Sequence, residues 1–477
     1  MNKKNNFSSK PNNLYVYIIS MVAAVGGFLF GYDISIISGA IIFMKQEFNL
    51  TGANLGFVMS SAQIGCVFGA LLGGTICDLF GRKKALFFSS ILFGLSTIFT
   101  AIALSIGVFN VFRIIGGLGV GLASIVSPMY IAEIAPSSIR GRLVTLNQFA
   151  ICIGLLSAII VSYFMSFNLG WRWMFASQSI PILFFIGGLF VIPESPRWLI
   201  KKDRKKEAYL VLKRINGESV AQTEMKEIED SIQSESGKFS ELFQKGIRLA
   251  LIIAVCLAFF SQWSGATPML LYAPLIFQKA GFVYASDAIL QSVMLAGWLV
   301  LCTIFALWLV ERVGRRQLLI VGTLAMAVGM VCTSLFFYFK MKGIYLLLMM
   351  FLSIGAYSVS LAPLAWLIMA EIFPTRIRGV AMSIASVVLW VSTVMVNQLF
   401  PPLSNLSEKI FGSEFGIFLI YALVCVITSV FVWFVLPETK GKSLEQISAF
   451  WLKKIQIKNM EKETIPEQKQ AINEYIG

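Results

Sequence analysis

The stretch "GGFLFGYDISIISG", Gly26 to Gly39, is apolar and dotted with glycine. It lies inside a longer apolar run from Leu14 to Met44, and one carboxylate, Asp33, sits in its middle. A charge in hydrocarbon is costly and marks a function where it occurs. The stretch is therefore either no membrane segment at all or a span whose acid has a role.

Composition favours the span. Of 477 residues, 57% are hydrophobic and 13% charged, against about 45–50% and about 25% in soluble proteins. Phenylalanine is abundant at 40 and histidine is absent. A soluble globule has nowhere to hide this much apolar surface. The N-terminal "MNKKNNFSSKPNN" looks like the start of a signal peptide. The apolar run behind it is long and no small-residue cleavage site follows, so it reads as a retained first span.

Runs long enough to cross hydrocarbon fall near 14–44, 55–77, 85–105, 108–132, 143–166 and 173–192, then 248–278, 287–310, 317–339, 344–370, 380–400 and 415–436. The expectation is an all-α membrane protein of twelve helices in two pseudo-symmetric six-helix bundles, 14–192 and 248–436. A linker at 193–247 joins them, and tails at 1–13 and 437–477 flank them. With twelve crossings, 32 of the 39 Lys/Arg fall on the side of the tails and linker, six on the other, and Arg113 within a span. By the positive-inside rule the rich side is cytoplasmic, so the basic excess is a topology signal and not a nucleic-acid footprint. In the linker, Ala208, Val211, Leu212 and Ile215 share one helical face, as short cytoplasmic helices lying against the bundle require.

The halves repeat. "LFGRKKAL" (79–86) echoes "RVGRRQLL" (312–319), "AEIAPSSIRG" (132–141) echoes "AEIFPTRIRG" (370–379), and "IPESPRWL" (192–199) echoes "LPETKGKSL" (436–444). Duplicated bundles with a site between them are a transporter architecture. Seven cysteines show no CxxC pair, which supports neither a disulfide framework nor a metal site. There is no P-loop and no nucleophile–base set, so an enzyme is not expected.

Two charges lie well inside spans, Asp33 on the first and Arg113 on the fourth. By helical rise they fall about 16 and about 8 Å below the outer surface, a gap that ordinary tilt covers. Each is expensive alone, and the remedy is for them to meet. Such a pair contains a switch, because a proton arriving at Asp33 weakens it. A static structural ion pair is the alternative.

Together with these repeats, "GYDISIISG", "DLFGRKK", "RIIGGLGVG", "PESPRWL", "ERVGRR" and "PETKGKSLEQI" make the chain resemble the sugar porter family of the major facilitator superfamily over roughly 14–448. The resemblance implies alternating access around one central site, with Asp33 as the proton-coupling residue and Arg113 as its partner. It implies sugar contacts at Phe30, Gln148, Gln262, Thr267, Trp366 and Trp390, and an outer gate at Tyr272. It also implies a cytoplasmic network that joins the halves when the carrier faces outward, built from Asp78, Arg82, Glu133, Arg140, Glu194 and Arg197 with Glu311, Arg315, Glu371, Arg378 and Glu438.

This sequence departs from the family pattern at several positions. Ser261 stands where the family has a first glutamine, and Thr267 where it has an asparagine. Leu299 and Leu389 replace amides, and "APLAW" (362–366) replaces a GP-x-PW-like hinge. The expected function is proton-coupled symport of a sugar or polyol. An uncoupled facilitator and a transporter-like nutrient sensor are the alternatives. The expected partners are that substrate, protons and membrane lipid, with no nucleic acid, no cofactor and no metal. The expected setting is a bacterial-type inner membrane, with both termini cytoplasmic and the chain a monomer.

Overall fold

The structure, a computed structural model, describes residues 13–136, 139–234, 242–243, 247–341, 343–373, 375–436 and 438. The tails expected at 1–13 and 437–477 lie outside these residues, apart from Asn13 and Glu438. Twelve described helices are long and apolar enough to span a membrane. Those of the first half are Asn13–Glu47, Gly52–Phe80, Arg82–Ala101, Ile106–Ile134, Arg140–Met165 and Trp171–Val191. Those of the second are Ile247–Leu271, Ala285–Val310, Arg315–Tyr338, Tyr345–Met369, Gly379–Phe411 and Phe415–Val435.

The repeat read in the sequence reappears in the packing. The first span packs on the fifth as the seventh packs on the eleventh, and the second on the fourth as the eighth on the tenth. Across the halves, the second span meets the eleventh and the fifth meets the eighth. A shift of six spans turns each of these two contacts into the other.

Lipid tails are as apolar as leucine, so burial of apolar area does little to press spanning helices together; close backbone approach does more. The first and fifth spans show this. A Cβ on Gly31 would overlap the Ile151 carbonyl, and one on Gly154 would overlap the Phe28 carbonyl.

Three of the described spans are interrupted; the sixth divides briefly at residues 177–178, between helices Trp171–Ala176 and Ser179–Val191. The tenth breaks at Ser360 (φ −116°, ψ −88°), between helices Tyr345–Val359 and Leu361–Glu371. Pro363 explains the break, because its ring excludes the carbonyl four residues earlier and it offers no N–H. The hinge therefore stands although Ala362 occupies the family's glycine position. The seventh breaks at Gly265, whose φ of +87° needs no side chain and whose absent Cβ leaves room for the Tyr421 ring.

Residues 196–234 of the linker form three helices, Pro196–Lys201, Lys205–Asn216 and Glu218–Ser234. Ala208, Leu212 and Ile215 are buried and Val211 is half-buried, with Ile215 in the main core. The Arg214 guanidinium lies 4.2 Å from the Tyr15 ring centroid on the first span. The linker thus docks on one face of the bundle, called here the linker face; the opposite one is the far face.

Gly31→Val is expected to destabilise the protein by about 1–3 kcal/mol through overpacking. Thermal unfolding of the purified protein in detergent should show a lowered midpoint. Gly94→Ala, where a Cβ meets nothing within 4 Å, should leave the midpoint unchanged.

Candidate functional site

The structure brings Asp33 and Arg113 together. Arg113 Nη1 lies 2.9 Å from Asp33 Oδ1, and Nη2 donates to the Asp33 backbone carbonyl at 3.0 Å. Both residues are 1% exposed. Asp33 Oδ2 and Arg113 Nε have no hydrogen-bond partner, and the guanidinium lies 5.5 Å from the Phe175 ring centroid. Gly116 lets the fourth span come close: a Cβ there would overlap the Ser96 side chain and would itself lie 3.9 Å from Asp33 Oδ1. The arginine thus holds the first span by one carboxylate oxygen and one main-chain carbonyl.

A polar cluster lies at mid-depth between the halves. Thr267 Oγ1 donates to Gln262 Oε1 at 2.9 Å, and Gln262 Nε2 donates to Ser261 Oγ at 3.1 Å. Tyr357 on the tenth span hydrogen-bonds with the Thr267 side chain. From the first half, Gln148 bonds with Cys152 one helical turn on, and Cys152 Sγ lies 3.9 Å from Thr303 Oγ1 on the eighth span. The exposed Gln148 therefore faces the cleft between halves and not lipid. Four spans from both halves supply amide, hydroxyl and thiol groups to one region, and such groups bind hydroxyls.

The aromatic residues divide. Phe30 and Trp390 meet across the halves with centroids 5.7 Å apart. Trp366 is 39% exposed, on the linker side of the Ser360 break. Leu299 and Leu389 are buried where the family places amides.

Toward the far face the halves are joined. Ser60 Oγ donates to Gln398 Oε1 at 2.9 Å, Gln398 Nε2 donates to the Ala53 carbonyl at 3.0 Å, and Ser38 Oγ donates to the Leu270 carbonyl at 3.4 Å. Tyr272 is buried; its hydroxyl donates to the Asn397 carbonyl at 2.8 Å, and its ring stacks on Phe400 with centroids 4.6 Å apart.

The charge sets at the linker face repeat closely. Arg82 pairs with Glu133 at 2.8 Å and with Asp78 at 3.5 Å; Arg315 pairs with Glu371 at 3.2 Å. Ser195 Oγ donates to the other Glu133 oxygen. Glu194 Oε1 accepts the backbone N–H groups of Arg82 and Lys83 at 2.8 and 3.1 Å. Glu438 accepts those of Arg315 and Arg316 at 3.0 and 3.1 Å. Each glutamate therefore sits at the start of a spanning helix, where free N–H groups and the helix dipole favour an anion. Gly81 and Gly314, at φ +98° and +100°, make the turns and leave space for the carboxylates.

The sequence reading has these residues joining the halves in an outward-facing carrier; in this structure the pairs Arg82–Glu133 and Arg315–Glu371 each lie inside one half. With the far face closed, each acid finds an arginine of its own bundle. Arg140 is exposed and donates from Nε to the Ala135 carbonyl at 3.3 Å. Arg197 is engaged by a neighbour. The side chains of Glu311 and Arg378 lie outside the described residues.

The description "Sugar (and other) transporter" belongs to a family model that matches residues 19–451. The chain belongs to this family. It is 38% identical to the D-xylose-proton symporter of Escherichia coli strain K12, over 93% of this chain and 97% of that protein. It is also 38% identical to the arabinose-proton symporter of Bacillus subtilis, over 92% and 96%. The xylose transporter XylE of E. coli, solved in an inward-open conformation, superposes with a TM-score of 0.81 at 36% identity, covering 92% of this chain and all of that one. The chain is thus a multi-pass membrane transporter of the major facilitator fold.

Sequence reasoning missed Cys152, Thr303, Tyr357 and Gln398. Only Cys152 carried a signal, since it lies four residues beyond Gln148 and shares its helical face.

Arg113→Leu is expected to lower stability by about 3–5 kcal/mol, because it leaves the Asp33 charge buried and unpaired. The double substitution Asp33→Asn/Arg113→Leu should recover much of the loss. Thermal midpoints of the three proteins in detergent check both expectations.

Proposed function

We propose that this protein is a proton-coupled symporter for a monosaccharide, working by alternating access as a monomer in lipid. The buried Asp33–Arg113 pair carries the reading. Among the described residues it is the most buried charged pair, and a proton on Asp33 removes its charge attraction to Arg113 and leaves the hydrogen bond to the Asp33 carbonyl. A proton moving inward across ~100 mV releases about 2.3 kcal/mol, which sustains nearly a fiftyfold sugar gradient at about 1.4 kcal/mol per tenfold.

In this reading residues 14–192 and 248–436 are the moving bodies and 193–247 is their cytoplasmic linker. The basic bias places the linker face and both termini inside a bacterial-type inner membrane. The far face is then external, and its cross-half contacts belong to a carrier that faces inward. Gln148, Gln262, Thr267, Trp366, Trp390 and Phe30 are the sugar contacts, and Tyr272 belongs to the outer gate. In the outward-facing state the arginines and acids of the linker face exchange partners across the halves.

The xylose-proton and arabinose-proton symporters are among its relatives, and both sugars are pentoses. Loss of amides at Leu299 and Leu389 favours a substrate with few hydroxyls to satisfy, which also points to a pentose.

Proteoliposomes with an imposed pH gradient test this against a panel of D-xylose, L-arabinose, D-glucose and xylitol. Gradient-driven accumulation of a pentose is expected. Asp33→Asn should abolish accumulation and retain exchange; undiminished accumulation by that variant would sink the coupling assignment. Gln148→Ala should weaken binding of the transported sugar about tenfold, within the range for a hydrogen bond lost from a binding site. Isothermal titration of the purified variant reads that change directly.

A further inference from the structure

A second cavity lies at the far face, on the seam between the halves, with a volume of about 260 Å³. Lys45 and Leu55 line it from the first half. Tyr272, Gln278, Phe400, Asn405 and Glu414 are among its residues from the second. It is separate from the mid-depth cluster of Gln148 and Gln262.

Glu414 makes this more than a crevice. It is 3% exposed, and its Oε1 accepts from Ser404 Oγ at 2.5 Å and from Lys279 Nζ at 2.8 Å. Glu414 lines the cavity, and its Oε2, itself fully buried, has no hydrogen-bond partner. A buried carboxylate oxygen without a donor is a costly vacancy, and a hydroxyl fills it. Lys279 is already committed to Glu414 and Glu408. Burial opposes its charge, but the two carboxylates outweigh burial and hold its ammonium above the usual lysine range. Lys45 lines the cavity from across the seam and has no ion-pair partner among the described residues.

The lining chemistry selects the ligand. An anion meets Glu414, and a cation meets Lys45 and Lys279, so a neutral molecule suits the cavity best. Amides at Gln278 and Asn405, an ammonium and an acceptor-only carboxylate oxygen offer both donors and acceptors to hydroxyls. Leu55, Leu275 and Phe400 give the cavity an apolar wall for ring C–H groups. The volume falls just below the ~300 Å³ at which pockets for drug-sized ligands begin and holds about nine waters at ~30 Å³ each, a size for one monosaccharide.

We propose that this seam cavity is a second, external sugar site, which holds a monosaccharide against the closed outer gate. Both halves build it, so it exists while the far face is closed and comes apart when that face opens, releasing its sugar above the central cluster. The inference rests on the sugar-symport reading and on the far face being external.

Equilibrium dialysis of the purified full-length protein with radiolabelled D-xylose tests it. Two molecules bound per chain are expected. Asn405→Ala and Glu414→Gln should each weaken one of the two about tenfold and spare the other, and Gln148→Ala should do the reverse. A single bound molecule, lost in Gln148→Ala and unmoved in Asn405→Ala, overturns the external site and leaves the symport reading standing. Two molecules indifferent to both Asn405→Ala and Glu414→Gln also overturn it. No binding of D-xylose, together with no pH-driven pentose uptake, ends both readings.

Discussion

The attraction between one carboxylate and one guanidinium, sealed between the first and fourth spans, is the constraint on which the proposed mechanism turns. Neither Asp33 nor Arg113 is tolerable alone in so dry a place. Their geometry is asymmetric in a useful way. Arg113 holds both a carboxylate oxygen and the main-chain carbonyl of Asp33, so neutralising the acid loosens the tie without casting the arginine adrift. The spare oxygen, Oδ2, has no donor to displace before it takes a proton.

The second organising element is a duplicated anchor. Glu194 and Glu438 close the N-termini of the third and ninth spans, and each sits beside an arginine–glutamate pair of its own half. Arg82 and Glu133 are largely buried and Arg315 and Glu371 partly so, so removing one partner of a pair leaves a poorly solvated charge. Their weight is in position: they rigidify each bundle at the linker face, so that the bundles move as units.

Much of this was legible in the residue order, because its causes are local. Twelve apolar runs predict twelve spans, and the span limits agree to within a few residues at most ends. The three repeated motifs place the acids and arginines at matching helix ends, and the energetic argument alone predicts that Asp33 and Arg113 meet. What could not be read depends on how helices face one another. Cys152 beside Thr303 and Ser60 beside Gln398 are contacts between distant helices with no shared motif. The partners of Arg82 and Arg315 depend on which face of the molecule is closed, which the order of residues does not state. The break at Ser360 follows from Pro363 alone, whatever residue stands at 362.

The exchange symmetry of the two cross-half seams has a mechanical consequence. The second span on the eleventh and the fifth on the eighth act as paired bearings, each the mirror role of the other. Tilting the bundles one way loads one end of both bearings as it unloads the opposite end. In the proposed cycle the inward and outward poses are then built on the same two seams, loaded at opposite ends. A device so balanced needs no large motor: a single charge, gained or lost off its axis, is enough to tip it.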